Sequence, residues 1–97
     1  MSAQEVAVTV RLFAGIKDVF REGAITVPLG QAADVGHLLQ SICTSPARER
    51  AVYDGDGRVR KDVTVLVNGR HMRFLDGPQT KLRDGDDVRL FPPMYGG

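Results

Sequence analysis

Asp84-Gly85-Asp86-Asp87-Val88-Arg89-Leu90-Phe91-Pro92-Pro93-Met94-Tyr95-Gly96-Gly97 decides how the rest of this sequence is read. Arg83 to Asp86 carries the Asp-Gly chemistry of a tight turn. Val88 and Leu90 then alternate with polar neighbours, the period of a half-buried strand over Asp87 to Phe91. Pro92-Pro93 ends that strand, because neither residue donates to a ladder and the pair prefers an extended conformation. Fully extended, residues 92–97 reach at most roughly 20 Å from the strand end. Gly96 and Gly97 lack a Cβ, so they can thread a channel too narrow for other residues. The carboxyl group of Gly97, with an ordinary α-carboxyl pKa of about 3.3–3.7, is ionised at neutral pH and is a poor acyl donor until activated. Adenylation by ATP would supply that activation. No glycine-rich phosphate loop stands between a strand and a helix, so the nucleotide belongs to a partner.

Working back from this ending, Val6, Val8, Val10 and Leu12 alternate with Ala7, Thr9, Arg11 and Phe13, which predicts a strand over 6–13. Ala24 to Leu29 repeats the alternation beyond a turn at Arg21-Glu22-Gly23, and the two strands read as a hairpin. Val35, Leu38, Leu39 and Ile42 form one helical stripe, with Asp34 as N-cap and Pro46 as the far limit, about ten residues in all. Residues 44–62 show little apolar periodicity and read as loop. Val63 to Val67 is a strand, Asn68-Gly69 a turn requiring positive φ, and Arg70 to Phe74 a short returning strand. Leu82 plugs the core before the last strand. One helix over one face of a mixed sheet makes an α+β roll. The expected division is a domain over 1–91 and a flexible tail over 92–97.

Ninety-seven residues bury one modest core. A net charge of +1 with 26% charged residues demands neither nucleic acid nor a membrane surface. The longest strand-like run, Val63 to Val67, falls far short of the ~20 apolar residues that cross a bilayer. Met1 to Val10 lacks a basic segment followed by an apolar stretch, so no secretion signal is read there. The single cysteine, Cys43, excludes an intrachain disulfide and a thiolate cage, and a reducing cytoplasm fits.

With those residues in view, the sequence resembles the ubiquitin-like sulfur carriers of bacteria and archaea, the group that includes the small subunit of molybdopterin synthase and the thiamine-pathway carrier. Val10-Arg11-Leu12-Phe13-Ala14 is similar to that family's first strand, Val67-Asn68-Gly69 to its central turn, and residues 84–97 to its ending. The resemblance implies a β-grasp fold. It also implies that Gly97 is adenylated by a ubiquitin-activating-type adenylyltransferase, which uses ATP, and becomes a thiocarboxylate. A sulfur-accepting biosynthetic enzyme would be the second partner, with the molybdopterin synthase large subunit the first to consider. Carriers for cysteine or homocysteine, thiamine and tRNA thiolation are similar, and archaeal relatives resemble protein modifiers that join lysines. Met94-Tyr95 departs from the small residues usual before the diglycine of the molybdopterin subunit, and His71 from its usual apolar contact residue.

Phe13 and Phe91 fall out of phase with the core and should lie on the sheet face the helix leaves open, an exposed aromatic pair suited to docking. The resemblance places partner contacts at the matching positions, and His71 joins them as a docking candidate. Arg58, Arg60 and Lys61 precede one strand and Arg70, His71 and Arg73 follow it. A charge-guarded edge is the preferred account of these six, ahead of an acidic partner. Interspersed Asp54, Asp56 and Asp62 argue against nucleic acid. Cys43 reads as an inert core thiol. His37 and His71 lack a third ligand, so no metal site is expected, and no cofactor is assigned to the chain. Ser41, Ser45 and the histidines form no nucleophile–base–orienter pattern, so the chain reads as a co-substrate of partner enzymes rather than an enzyme.

Overall fold

The alternating stretch at the start forms β1 (Val6–Leu12), with Val8, Val10 and Leu12 buried. A computed structural model of the chain describes residues 6–31 and 33–93. β2 (Ala24–Leu29) runs antiparallel to β1, with Val10 opposite Ile25 and Val8 opposite Val27. The link between them is not a simple turn. It holds α1 (Ala14–Phe20), whose Ile16 and Phe20, one turn apart, drop into the core. Leu12 is the last strand residue, so Phe13 sits at the N-cap of α1 instead of in β1.

α2 (Val35–Ile42) follows the apolar stripe read from the sequence, with Val35, Leu38, Leu39 and Ile42 buried. The Asp34 carboxylate accepts from the His37 N–H at 2.8 Å and closes its N-terminus. Residues 44–62 are not all loop. Ser45 accepts from the Arg48 N–H at 3.2 Å, Pro46 takes the first helical position, and α3 (Pro46–Val52) buries Val52. Among the described residues, three α-helices rather than one therefore accompany the sheet.

β3 (Thr64–Val67) and β4 (Arg70–His71) meet across Asn68 and Gly69, whose φ values of 50° and 87° suit the backbone twist of a tight hairpin. Val63 stands just before β3 yet is buried. The returning strand lasts two residues, because Met72–Phe74 turns into a 3-10 segment and a second such turn follows at Gly77–Gln79. Leu82 plugs the core as expected.

β5 (Asp87–Phe91) lies parallel to β1, pairing Val10 with Val88, and antiparallel to β3, pairing Val65 with Leu90. The sheet order is β2-β1-β5-β3-β4, so the last strand occupies the middle. Val8, Val10, Leu12, Val65, Val88 and Leu90 point to the same side and meet Leu38, Leu39, Phe20 and Val52. This mixed sheet under helices is the β-grasp arrangement, an α+β fold. Arg48 of α3 ties the helical layer together. Its guanidinium donates to the Ile42 and Phe20 carbonyls at 3.1 and 3.2 Å and lies 4.6 Å from the Phe20 ring centroid.

Candidate functional site

The period of two that buries Val88 and Leu90 turns Asp87, Arg89 and Phe91 to the opposite, helix-free face of the sheet. Thr9 and Arg11 of β1 stand opposite Asp87 and Arg89 in the parallel register. On β3, Thr64 and Leu66 stand opposite Phe91 and Arg89, and His71 of β4 stands opposite Leu66. One continuous surface therefore crosses four strands.

At its end, Phe13 and Phe91 stack face to face, with ring centroids 4.3 Å apart and planes 8° from parallel. The Phe13 N–H donates to the Leu90 carbonyl at 3.2 Å, which fixes the approach. Both rings are half-buried rather than fully exposed, since each covers one face of the other. Pro92 and Pro93 follow Phe91 directly and are also half-buried. Met94, Tyr95, Gly96 and Gly97 lie outside the described residues.

Beside the aromatic pair, the Asp87 carboxylate accepts from Arg11 Nε at 2.8 Å and from Arg89 Nε at 2.9 Å. Burial of the carboxylate raises its pKa, but the two hydrogen bonds and the adjacent positive charges outweigh that effect and hold it below the usual carboxylate value. The triad keeps one net positive charge beside the rings. Sequence reading misses this triad, although the signal is present: Arg11, Asp87 and Arg89 all share the phase of Phe13 and Phe91.

His71 occupies the far side of the same face. Its Nδ1 accepts from the Arg73 N–H at 3.1 Å, and its ring meets Phe74 edge-on at 6.2 Å. Burial and the neighbouring Arg73 charge lower its pKa. The structure thus gathers Phe13 and Phe91 into one contact and leaves His71 separate, with Leu66 and Arg89 between them in the register.

Arg58, Arg60, Lys61, His71 and Arg73 do converge, around a groove of about 650 Å³ beside β4. Arg70 stands apart, with Lys81 and Arg83 across the strand edge. The Cys43 thiol is half-buried, and burial first, then the Glu49 charge, push its pKa up to about 11 against the opposing Arg48, which leaves it a poor nucleophile. Among the described residues no group of three or more His, Cys, Asp or Glu side chains is placed to hold a metal. No helix of the described residues is long and apolar enough to cross a membrane. What the site offers is a surface: a rigid aromatic platform, a flanking charge, and a strand end from which the chain continues.

Residues 10–97 match the family model described as the ThiS family. Small archaeal modifier protein 3 of Haloferax volcanii is 39% identical over 94 residues, which span 90% of this chain and 95% of that protein. The crystal structure of SAMP1 from Haloferax volcanii superposes with a TM-score of 0.84 at 29% identity, over 94% of this chain and 99% of that one. A putative molybdopterin converting factor, subunit 1, from Pyrococcus furiosus does so with a TM-score of 0.70 at 29% identity, over 92% and 99%.

Proposed function

Because the chain belongs to the ThiS family of ubiquitin-like sulfur carriers and small modifiers, we propose that its working group is the Gly97 carboxylate, carried as a thiocarboxylate. The supporting observation is the placement of β5: the strand that carries Phe91 onto the aromatic platform runs straight into Pro92-Pro93. A partner that grips Phe13 and Phe91 holds the chain within roughly 20 Å of Gly97.

In this reading a ubiquitin-activating-type adenylyltransferase brings the ATP. The carboxylate attacks the α-phosphorus and pyrophosphate leaves. A sulfide-level nucleophile, hydrosulfide supplied by a sulfur-donating partner, then attacks the acyl carbon of the mixed anhydride. The C–S bond forms as the C–O bond to AMP breaks, and the thiocarboxylate and AMP are the products. The chain itself supplies docking and a threading tail, with Gly96 and Gly97 innermost and Pro92, Pro93, Met94 and Tyr95 as its stem. It is a co-substrate, binds no cofactor of its own, and works in the cytoplasm. The first client to consider is the molybdopterin synthase large subunit, on the strength of the Pyrococcus furiosus likeness. Transfer to cysteine or homocysteine, thiamine or tRNA is the same chemistry with another acceptor.

A second reading is conjugation to lysines, favoured by the 39% identity to a protein named as a modifier. The activated Gly97 would then be attacked by an amine. Intact mass spectrometry after co-expression with the activating enzyme tests both. A gain of about 16 Da in the intact chain, oxygen exchanged for sulfur, marks the carrier, and diglycine remnants left on lysines after chymotryptic cleavage at Tyr95 mark the modifier. An unchanged mass and no remnants, with the chain folded and the enzyme active, overturns both.

A further inference from the structure

The groove beside β4 is built from segments far apart in sequence. Val63 and Met72 form its buried floor, Val59 and the Tyr53 ring one wall, and Pro78 the other. Gly36 of α2 permits that last wall, since a Cβ there would stand 3.3 Å from the Pro78 carbonyl oxygen. The rim is cationic: Arg58, Lys61 and Arg73 are exposed, and among the described residues no acidic side chain lines the groove. Arg60 also lines it, but its guanidinium is engaged by Asp62 at 2.8 and 3.0 Å and is not free to meet a ligand. Next to the rim, Phe74 is 71% exposed, with the Arg73 guanidinium 5.0 Å from its ring centroid. A large aromatic left this open beside an apolar groove needs a partner more than an isolated surface residue does.

We propose that this groove is a second docking site, which receives an acidic protein segment carrying apolar side chains. The apolar residues fill the floor between Tyr53, Val63 and Met72 and pack on Phe74, while the carboxylates meet Arg58, Lys61 and Arg73. Charge of one sign around a low-dielectric floor selects that occupant and rejects a basic one. A bare phosphate would satisfy the rim and leave both the floor and Phe74 uncovered. Of the groove residues, only His71 also belongs to the face that carries Phe13 and Phe91. The chain can therefore be held here while the aromatic platform and the tail engage another protein. Docking in the groove does not depend on the chemistry proposed for Gly97.

The test is a titration of the full-length ¹⁵N-labelled chain with a short peptide alternating glutamate and leucine, followed by amide shifts. Saturable shifts should appear at Val59, Lys61, Met72 and Arg73 and weaken with added salt. The exposed double substitution Lys61→Glu, Arg73→Glu should weaken binding by roughly tenfold or more, as should Phe74→Ser, while Phe13→Ala leaves it unchanged. Amide shifts of the β1 and β5 residues report that each variant is folded. The proposal is overturned if inorganic phosphate alone reproduces the shifts, if a lysine–leucine peptide binds equally well, if the shifts gather on Phe13 and Phe91, or if the peptide does not bind.

Discussion

Phe13 and Phe91 lie at neighbouring parallel strand ends and touch ring to ring at 4.3 Å, although 78 positions separate them in the chain. In the proposed docking role each ring holds the other in place, so truncating either should weaken docking more than it weakens the fold. Phe91→Ala is expected to lower affinity for the activating enzyme by roughly tenfold or more, a hot-spot loss. The stack itself contributes only about 0.5–1.5 kcal/mol to stability. Surface plasmon resonance beside urea denaturation separates the two. Unchanged affinity would remove the platform from the proposed function.

Arg48 is a structural residue with a large expected effect. It satisfies carbonyls at the ends of two helices and also donates to Thr44 Oγ1 at 3.2 Å. Arg48→Ala leaves those carbonyls, part-buried, without their charged donor, which should cost about 2–3 kcal/mol. Lysine keeps the charge but loses the planar fork and should recover only part of it. The urea midpoint reads both, and an alanine variant as stable as the wild type would show that water replaces the guanidinium.

Arg21 closes α1 in the left-handed region, at φ 60° and ψ 25°, with its N–H on the Lys17 carbonyl at 2.7 Å. That conformation strains a residue with a Cβ, and glycine relieves it. Arg21→Gly is expected to raise stability in thermal unfolding, the relief of about 1–2 kcal/mol of left-handed strain being partly offset by about 0.4–1 kcal/mol from the greater freedom of glycine in the unfolded chain. Arg21→Val, which adds β-branching, should lower it.

How far the chain can be read from its sequence depends on periodicity. β1, β2, α2 and β5 each repeat long enough, and in one phase, for burial to be legible, and Asp34 is recognisable as a cap because one carboxylate precedes a clear stripe. α1 escapes because seven residues give only Ile16 and Phe20 to the core, and Phe13 makes no side-chain cap bond that composition would signal. α3 escapes for a different reason. Ser45-Pro46 with Glu49 in the first turn is a helix start, but Pro46 serves equally well as the limit of α2, and the two roles compete for one residue. Strand phase places Phe91 on the open face, but Phe13 lies one residue beyond β1 at the N-cap of α1, so the stack between them is not legible from phase alone. Nor is the groove beside β4, which joins residues 36, 53, 63, 72 and 78 through tertiary packing.

Asp87 gives the charged flank a pH signature. Its pKa is held below the ordinary value, so the unfolded chain binds the proton more readily. The stabilisation is present above the unfolded pKa of roughly 3.9 and is lost as pH falls through the lower folded value. Arg11 and Arg89 are about half exposed, at 48% and 47%, which limits the contribution to under about 1 kcal/mol. Asp87→Asn should flatten the stability profile below about pH 4 while leaving the neutral fold intact. NMR titration of the Asp87 carboxyl checks the direction.

The position of β5 at the centre of the sheet has a consequence for biosynthesis. While residues 87–91 are still inside the ribosome, β1 and β3 lack the neighbour that joins them, and the two halves of the sheet have no shared ladder. The domain can close only after Phe91 has emerged from the exit tunnel. A nascent chain broken off early exposes unmatched strand edges and is open to proteolysis. A copy that stops before Phe91 therefore lacks both the strand that joins the two halves of the sheet and one ring of the Phe13–Phe91 stack.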